Sequence, residues 1–409
     1  MQAWSNPGKW SVNPINFSEG VRAEFELPQR VFVLDSTLRK MTETPGCRWS
    51  VAGARDIAAM ADEVGVTYMV VNIVHGLQPP SRSIKEMFAA VAGVRRRFKL
   101  FGTAWPFRES IDLVTDLGGD GVDIAWGELT AFADAYDYAD SRGLLVAKEL
   151  SRGSRLEHMP PSGLAQQINL LLERDLAYIG LHDNTNATSP EGWRYYVKQL
   201  RKALVDEAPL VPHVHNLLGQ ATAATCAAVT GGARGVDVTA NGIAASSGLA
   251  ALEETVVALE AYYGVQTGIE LTKLRAYSQV VSEATGLPVH PNKPLVGDDT
   301  FIVELDMFVR EVLEARLHER ERVHAIAPSL VGHEYTLVWG FNTIDQTGAT
   351  QEKLFQMGLP NDEATARRVN DAIRAALNAR ERGPLYLIEP EFETLARDVV
   401  QGRTRGDHA

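Results

Sequence analysis

From about residue 31 the chain alternates short apolar, β-branched runs with longer amphipathic segments, and this alternation narrows the fold more than any other feature. Strand-like runs fall at 31–34, 68–74, 100–104, 121–125, 144–147, 178–181, 210–215 and 235–239. Helix-like segments lie between them at 51–64, 83–97, 110–117, 129–142, 162–174, 190–206 and 220–230. Strands that regularly alternate with helices are parallel and joined by crossovers. Eight such runs in succession predict a (β/α)8 TIM barrel rather than an open sheet. No G-x-G-x-x-G opens the first unit, which disfavours a dinucleotide-binding fold.

A barrel of this kind keeps its chemistry at the C-terminal ends of its strands. Polar residues gather there: Arg39 and Lys40 after the first run, Asn72 to His75 after the second, Lys148 and Glu149 at the fifth. His182 and Asp183 end the sixth, His213 and His215 the seventh, and Asn241 follows the eighth. Residues i and i+2 share a strand face, so His213 and His215 project together as half of a divalent-metal site or as two hydrogen-bonding imidazoles. Arg39 offers a fork of donors for a carboxylate or carbonyl, and otherwise a rim ion pair. Lys40 is a Schiff-base nucleophile, a fixed cation in the place of a metal, or a solvated loop residue. Glu149 and Asp183 are candidate bases, metal ligands or partners for the lysines Lys40 and Lys148. The small-residue loops Gly231-Gly232-Ala233, Asn241-Gly242 and Ser246-Ser247-Gly248 suit either phosphate binding or tight turns. Trp105, Trp126 and Trp193 are better read as packing than as pocket walls.

After residue 259 the pattern changes. A proline-rich stretch at 288–297 reads as a linker, followed by helices at 300–323 and 361–382 with a turn at 328–332. The expected organisation is an N-terminal extension (1–30), a barrel (31–290) and a small, mainly helical C-terminal subdomain (291–409). A net charge of −12 argues against a nucleic-acid surface. The polar, tryptophan-bearing residues 1–19 are not a signal peptide and no run is long enough to span a bilayer. Two isolated cysteines, Cys47 and Cys226, fit reduced thiols in a cytoplasmic protein.

Two segments carry a family resemblance. Asp35 to Gly46 reads D-S-T-L-R-K-M-T-E-T-P-G, and His213 to Ala223 reads H-V-H-N-L-L-G-Q-A-T-A. The chain resembles the DRE-TIM metallolyases: isopropylmalate, homocitrate and citramalate synthases and hydroxymethylglutaryl-CoA lyase. Their corresponding segments run like D-T-T-L-R-D-G-E-Q-T-P-G and H-x-H-N-D-x-G-x-A-x-A. The stretch 235–253, Lys293 to Gly297 and Pro328 to Gly332 are also similar, so the likeness spans about residues 31–340. The resemblance implies a divalent cation held by an aspartate, two histidines and often an asparagine, with an acyl-CoA attacking a 2-oxo acid. It implies that Arg39 stabilises developing charge and that His213 and His215 are metal ligands; Asn72, Thr239 and Asn241, near the strand ends, are expected to join Arg39 in binding substrate. Lys40 stands where the family has its aspartate ligand, Val70 where it has a glutamate, and Leu249 at the asparagine ligand. Phe308 aligns with the synthases' S-G-x-H histidine, although Glu304 remains nearby.

The expected activity is therefore carbon–carbon bond formation of the acyl-CoA plus 2-oxo acid class with an altered metal site, Arg39, Lys40, Glu149 and Asp183 being catalytic. The alternatives are a metal-independent aldolase, lyase or decarboxylase using Lys40, and a non-catalytic binding or regulatory relative. The expected partners are a small 2-oxo acid or related carboxylate and a second copy in a homodimer, with no nucleic acid and no membrane.

Overall fold

The computed structural model describes residues 4–73, 81–125, 129–150, 159–317 and 324–403. The chain divides into two compact units, 13–289 and a second one that joins 1–12 to 290–409. The expected N-terminal extension is thus split, its first part belonging with the C-terminal subdomain.

The larger unit is the expected barrel. Its strands are β1 Phe32–Asp35, β2 Tyr68–Val71, β3 Lys99–Ala104, β4 Gly121–Ile124, β5 Leu145–Leu150, β6 Ile179–Asp183, β7 Leu210–Val214 and β8 Gly235–Val238. All eight belong to one sheet in the order β8-β1-β2-β3-β4-β5-β6-β7, parallel throughout. At the seam the Arg234 amide donates to the Leu210 carbonyl at 3.0 Å, tying the entrance of β8 to β7.

Side-chain alternation fills the interior. Leu34, Val70, Phe101, Ala147, Tyr178 and Val211 form a buried layer with Phe32 and Tyr68 against it. Glycines leave space for its aromatic rings. A Cβ on Gly121 would lie 2.5 Å from the Phe101 ring, and one on Gly235 would lie 2.3 Å from the Phe32 ring. Two residues onward, on the same inward face, β4 and β8 carry Asp123 and Asp237.

The surrounding helices follow from capping and periodicity. The helix Val51–Val64 starts at Ser50, whose hydroxyl accepts from the Gly53 amide, and stops at Gly65 with φ of 91°. The helix Pro190–Ala203 begins with proline in its first turn after Ser189 and buries Trp193, Val197 and Leu200 on one face. Each of those side chains contributes about 1.5–3 kcal/mol by leaving water. Trp193 is a packing residue, as expected; Trp126 lies outside the described residues.

The smaller unit has helices Asp306–Leu317, Gly348–Gln356, Glu363–Asn378 and Glu389–Gln401 beside a three-stranded sheet. Its first helix starts later than the expected residue 300, because Ile302–Val303 pairs in parallel with Thr336 and Leu337. Val309, Leu313, Val369, Ile373 and stacked Trp339 and Phe392 form its core, and Phe308 packs against them.

Candidate active site

The first turn after β1 is anchored before it reaches its functional residues. Buried Asp35 accepts the Thr37 amide at 2.8 Å and the Tyr277 hydroxyl, and Thr37 Oγ1 accepts the Ala240 amide at 2.9 Å. The short helix Thr37–Met41 then carries Arg39 and Lys40 into the barrel mouth, 6% and 4% exposed.

Arg39 grips Glu149 through both terminal nitrogens, Nη2 to Oε2 at 3.0 Å and Nη1 to Oε1. Asp123 lies 3.9 Å from Arg39 Nη1 and accepts the Tyr178 hydroxyl at 2.9 Å. Lys40 Nζ pairs with Glu43 Oε2 at 2.9 Å, while Asn72 Nδ2 donates to Glu43 Oε1. His182 Nε2 lies 3.2 Å from Glu149 Oε1, and its ring stacks on His213 with centroids 3.9 Å apart. His213 Nδ1 meets Asp237 Oδ2 at 2.6 Å, and His215 Nδ1 meets the Ala245 carbonyl at 3.2 Å. These residues form one buried polar cluster across the mouth.

The charges sort themselves by environment. Burial alone would raise the Glu149 carboxyl, but the Arg39 guanidinium and His182 hold it well below the usual range. Asp123 goes the other way, raised well above normal by burial and by the Glu149 charge. Burial pushes Asp237 up to about 7. Burial also lowers Lys40, helped by the adjacent guanidinium and opposed by Glu43. His215 falls to about 4 through burial and the Lys40 charge, and His213 is lowered well below normal, so both rings are neutral near pH 7.

Several buried polar atoms in this cluster have no hydrogen-bond partner: Arg39 Nε, Asn72 Oδ1, Asp123 Oδ1, His182 Nε2, His213 Nε2, Asp237 Oδ1 and Thr239 Oγ1. Such atoms are rare in a fold and gather where a ligand or water completes the set.

Arg39, Lys40, Glu149, Asn72, Thr239, His213 and His215 are therefore brought to one region as the sequence suggested. Asp183 and Asn241 are not. Asp183 follows inward-facing His182 and so turns to the other face, where its carboxylate accepts from the Ala187 and Thr188 amides and the Thr185 hydroxyl. This makes it a loop anchor, not a partner of Lys40. Asn241 is a strut: its Nδ2 donates to the Ser278 carbonyl at 2.9 Å, its Oδ1 accepts the Ser278 hydroxyl, and its amide donates to Glu253. The small-residue loops are tight turns and close packing, since a Cβ on Gly248 would strike the Gly242 carbonyl and one on Gly231 the Arg194 carbonyl. Val70 belongs to the inner apolar layer. Leu249 is buried, in a bridge with His215. Sequence reading missed Glu43, Asp123 and Asp237 as site residues and gave His182 no role. Their signals were present: Glu43 lies four residues after Arg39 on a helical turn, and the acids interrupt the matching strands G-V-D-I and G-V-D-V.

Among the described residues the donors do not complete a site for the divalent cation that the resemblance implies. His213 Nε2 and His215 Nε2 are two usable donors, each opposite an Nδ1 held by an acceptor. Among the described residues no group of three or more His, Cys, Asp or Glu side chains is arranged to hold a metal ion, although Asp237 and His182 lie against His213. Lys40, which the resemblance aligns with the family's aspartate ligand, brings a buried side chain next in sequence to Arg39, and its charge lowers both histidines. Two like charges 4 Å apart repel by about 4 kcal/mol at an effective dielectric near 20, and a divalent ion doubles this.

Comparison with known proteins agrees with the architecture. The family model described as HMGL-like matches residues 129–281. A putative (R)-citramalate synthase of Methanopyrus kandleri is 30% identical over 399 residues, covering 92% of this chain and 74% of the relative. A homocitrate synthase of the same organism is 30% identical over 401 residues, covering 94% and 96%. The HMG-CoA lyase of Bacillus subtilis shares the fold at a TM-score of 0.57 and 18% identity, over 64% of this chain and 96% of the lyase. With the barrel, the arginine turn and the histidine strand in place, identity sustained over nine-tenths of the chain settles its kinship: the protein is an enzyme of the DRE-TIM metallolyase family.

Proposed function

We propose that this enzyme joins an acyl-CoA to a 2-oxo acid with its buried cations, Arg39 and Lys40, in the place of the family's metal ion. The observation that carries the reading is the Lys40 ammonium, buried in the barrel mouth and held by Glu43 through one of its three N–H groups. Its other donors suit a carboxylate or keto oxygen. A preorganised cation at low dielectric stabilises charge that develops on such an oxygen. Arg39, immobilised by Glu149, adds a second positive charge beside it. Asn72 and Thr239 supply unpartnered polar atoms for substrate. The synthase names of the relatives support the reaction class.

The test is thiol release from acetyl-CoA with a panel of 2-oxo acids, with and without a chelator. Release that survives the chelator, and is lost in Lys40→Met, is expected. No release across the panel, or release abolished by the chelator and restored by a divalent ion, would refute the proposal. Lys40→Asp would add an oxygen donor to the two imidazole nitrogens, so this variant should bind Mn2+ at least about tenfold more tightly than the wild type, a gain of about 1.4 kcal/mol.

A second reading has Lys40 forming an imine with the 2-oxo acid, favoured by the burial that lowers its pKa. Borohydride trapping followed by peptide mass analysis decides it: reduction should then label Lys40. The homodimer expected from the resemblance is checked by light scattering.

A further inference from the structure

We propose that the smaller unit carries a second ligand site, a polar cleft that takes a small hydroxylated anion, its acid group a carboxylate or a phosphate. The cleft, about 530 Å³, lies among the helices Asp306–Leu317, Gly348–Gln356 and Glu363–Asn378 and the turn 344–347. Every lining residue falls between 306 and 374, so the barrel mouth takes no part in it. The volume suits a small molecule, yet the lining is polar where such sites are mostly apolar. Its occupant therefore carries charge.

The helix Glu363–Asn378 turns one charged face to the cleft. Arg367, Asn370, Asp371 and Arg374 fall at i, i+3, i+4 and i+7, the spacing of a single helical face. Ala366, Val369, Ile373 and Leu377 of the same helix build the core instead. Asn370, 3% exposed, fixes the wall: its Nδ2 donates to the Ile344 and Gln346 carbonyls at 3.1 and 2.6 Å, and its Oδ1 accepts the Thr350 hydroxyl at 2.7 Å. Buried Asp306 fixes the floor by accepting the Ala349 amide at 2.7 Å. That bond occupies the first turn of the helix Gly348–Gln356, so the arginines rather than the helix end supply the donors for an anion. A Cβ on Gly348 would lie 2.9 Å from Asp306 Oδ2 and 3.2 Å from Arg310 Nη1, so glycine makes room there for the guanidinium.

Three guanidiniums line the space, and each keeps donors in hand. Arg310 pairs only with Glu314 among the described residues, at 3.7 Å. Arg367 gives Nε and Nη2 to Glu363 at 3.1 and 2.6 Å, and Arg374 gives Nη2 to Asp345 at 3.2 Å. A guanidinium has more N–H groups than any of these contacts uses. The pairs are exposed to solvent, and exposed pairs hold little free energy, so a ligand oxyanion joins or replaces them easily. Planar forks of this kind bind a carboxylate or a phosphate through two hydrogen bonds. Asp345 and Asp371 line the same space and would repel a bare anion. Hydroxyl groups beside the acid group donate to these carboxylates, so arginines and aspartates together select a hydroxylated acid.

The experiment is calorimetric titration of the full chain at low salt with glycerol phosphate and with tartrate. Wild type is compared with Arg310→Gln, Arg367→Gln and Lys40→Met, the last reporting on the barrel mouth, where Arg39 and Lys40 also attract anions. At least one probe is expected to bind wild type and Lys40→Met with a Kd below about 1 mM. Arg310→Gln should weaken it about tenfold or more, and so should Arg367→Gln, which keeps the test open should the first variant not fold. The probe that binds tells phosphate from carboxylate. Inorganic phosphate or succinate, the counterparts without hydroxyls, should bind about tenfold more weakly than the matching probe. Neither probe binding below about 1 mM, equal binding in folded arginine variants, or loss in Lys40→Met alone would overturn the site. Counterparts that bind as tightly as the probes would overturn the ligand class.

Discussion

Replacing Arg39 by Met should make this enzyme sensitive to rising pH in a range where the wild type is not. The guanidinium and the Glu149 carboxylate are 6% and 2% exposed and joined by two hydrogen bonds. Removing one partner of such a pair leaves a buried charge and costs about 3–5 kcal/mol. In the wild type Glu149 is held well below its ordinary range. A carboxyl depressed in the fold contributes stability that is present above its unfolded value and lost as pH falls through the folded one. In Arg39→Met the sign reverses, because burial then dominates and raises the carboxyl, so the variant loses stability as pH rises through neutrality. Removing both charges, in Arg39→Met/Glu149→Gln, should recover all but about 1–2 kcal/mol, since a neutral pair does not strand a charge. Urea unfolding of the four proteins of this cycle, followed by the barrel tryptophans at pH 5 and pH 8, gives the coupling. A single variant that costs under about 1 kcal/mol at pH 8, or a double variant as unstable as the sum of its parts, would refute the reasoning.

Three further outcomes follow from packing and hydrogen bonding. Gly235→Ala places a methyl within 2.3 Å of the Phe32 ring and should cost about 1–3 kcal/mol, read as a fall in thermal midpoint. Ser50→Ala removes the cap of the helix Val51–Val64 and should cost about 0.5–2 kcal/mol in the same assay, with thiol release unchanged. Tyr277→Phe removes the hydroxyl that donates to buried Asp35 and should cost about 1–3 kcal/mol. Because Asp35 also holds the Thr37 amide, Tyr277→Phe should lower thiol release as well.

The strands and the residues at their ends were legible because the signals are local. An apolar run of five between two amphipathic segments has few other places to go, and in a barrel its C-terminal end must face the mouth. Thus Arg39, Lys40, Glu149 and the two histidines were visible from position alone. Asp183 and Asn241 satisfied the same positional rule yet turned away. One residue of register sends Asp183 to the loop side of β6, and Asn241, at φ of 60°, bonds Ser278 on a helix far along the chain. Local pattern carries no information about a partner dozens of residues away.

By itself the sequence determined the barrel, its mouth and its family, because alternating hydrophobicity, turn residues and two short motifs act over a few residues each. Only tertiary structure decided the ionisation of the centre. Asp123 and Glu149 are both acids on inward strand positions, yet one is pushed up by burial and the other is held down by a guanidinium from β1's following turn. It also decided the surroundings of Lys40, a buried side chain paired with Glu43 whose charge helps lower His213 and His215. Charge at short range depends on distance and dielectric, and both are set by which strands lie side by side when the barrel closes.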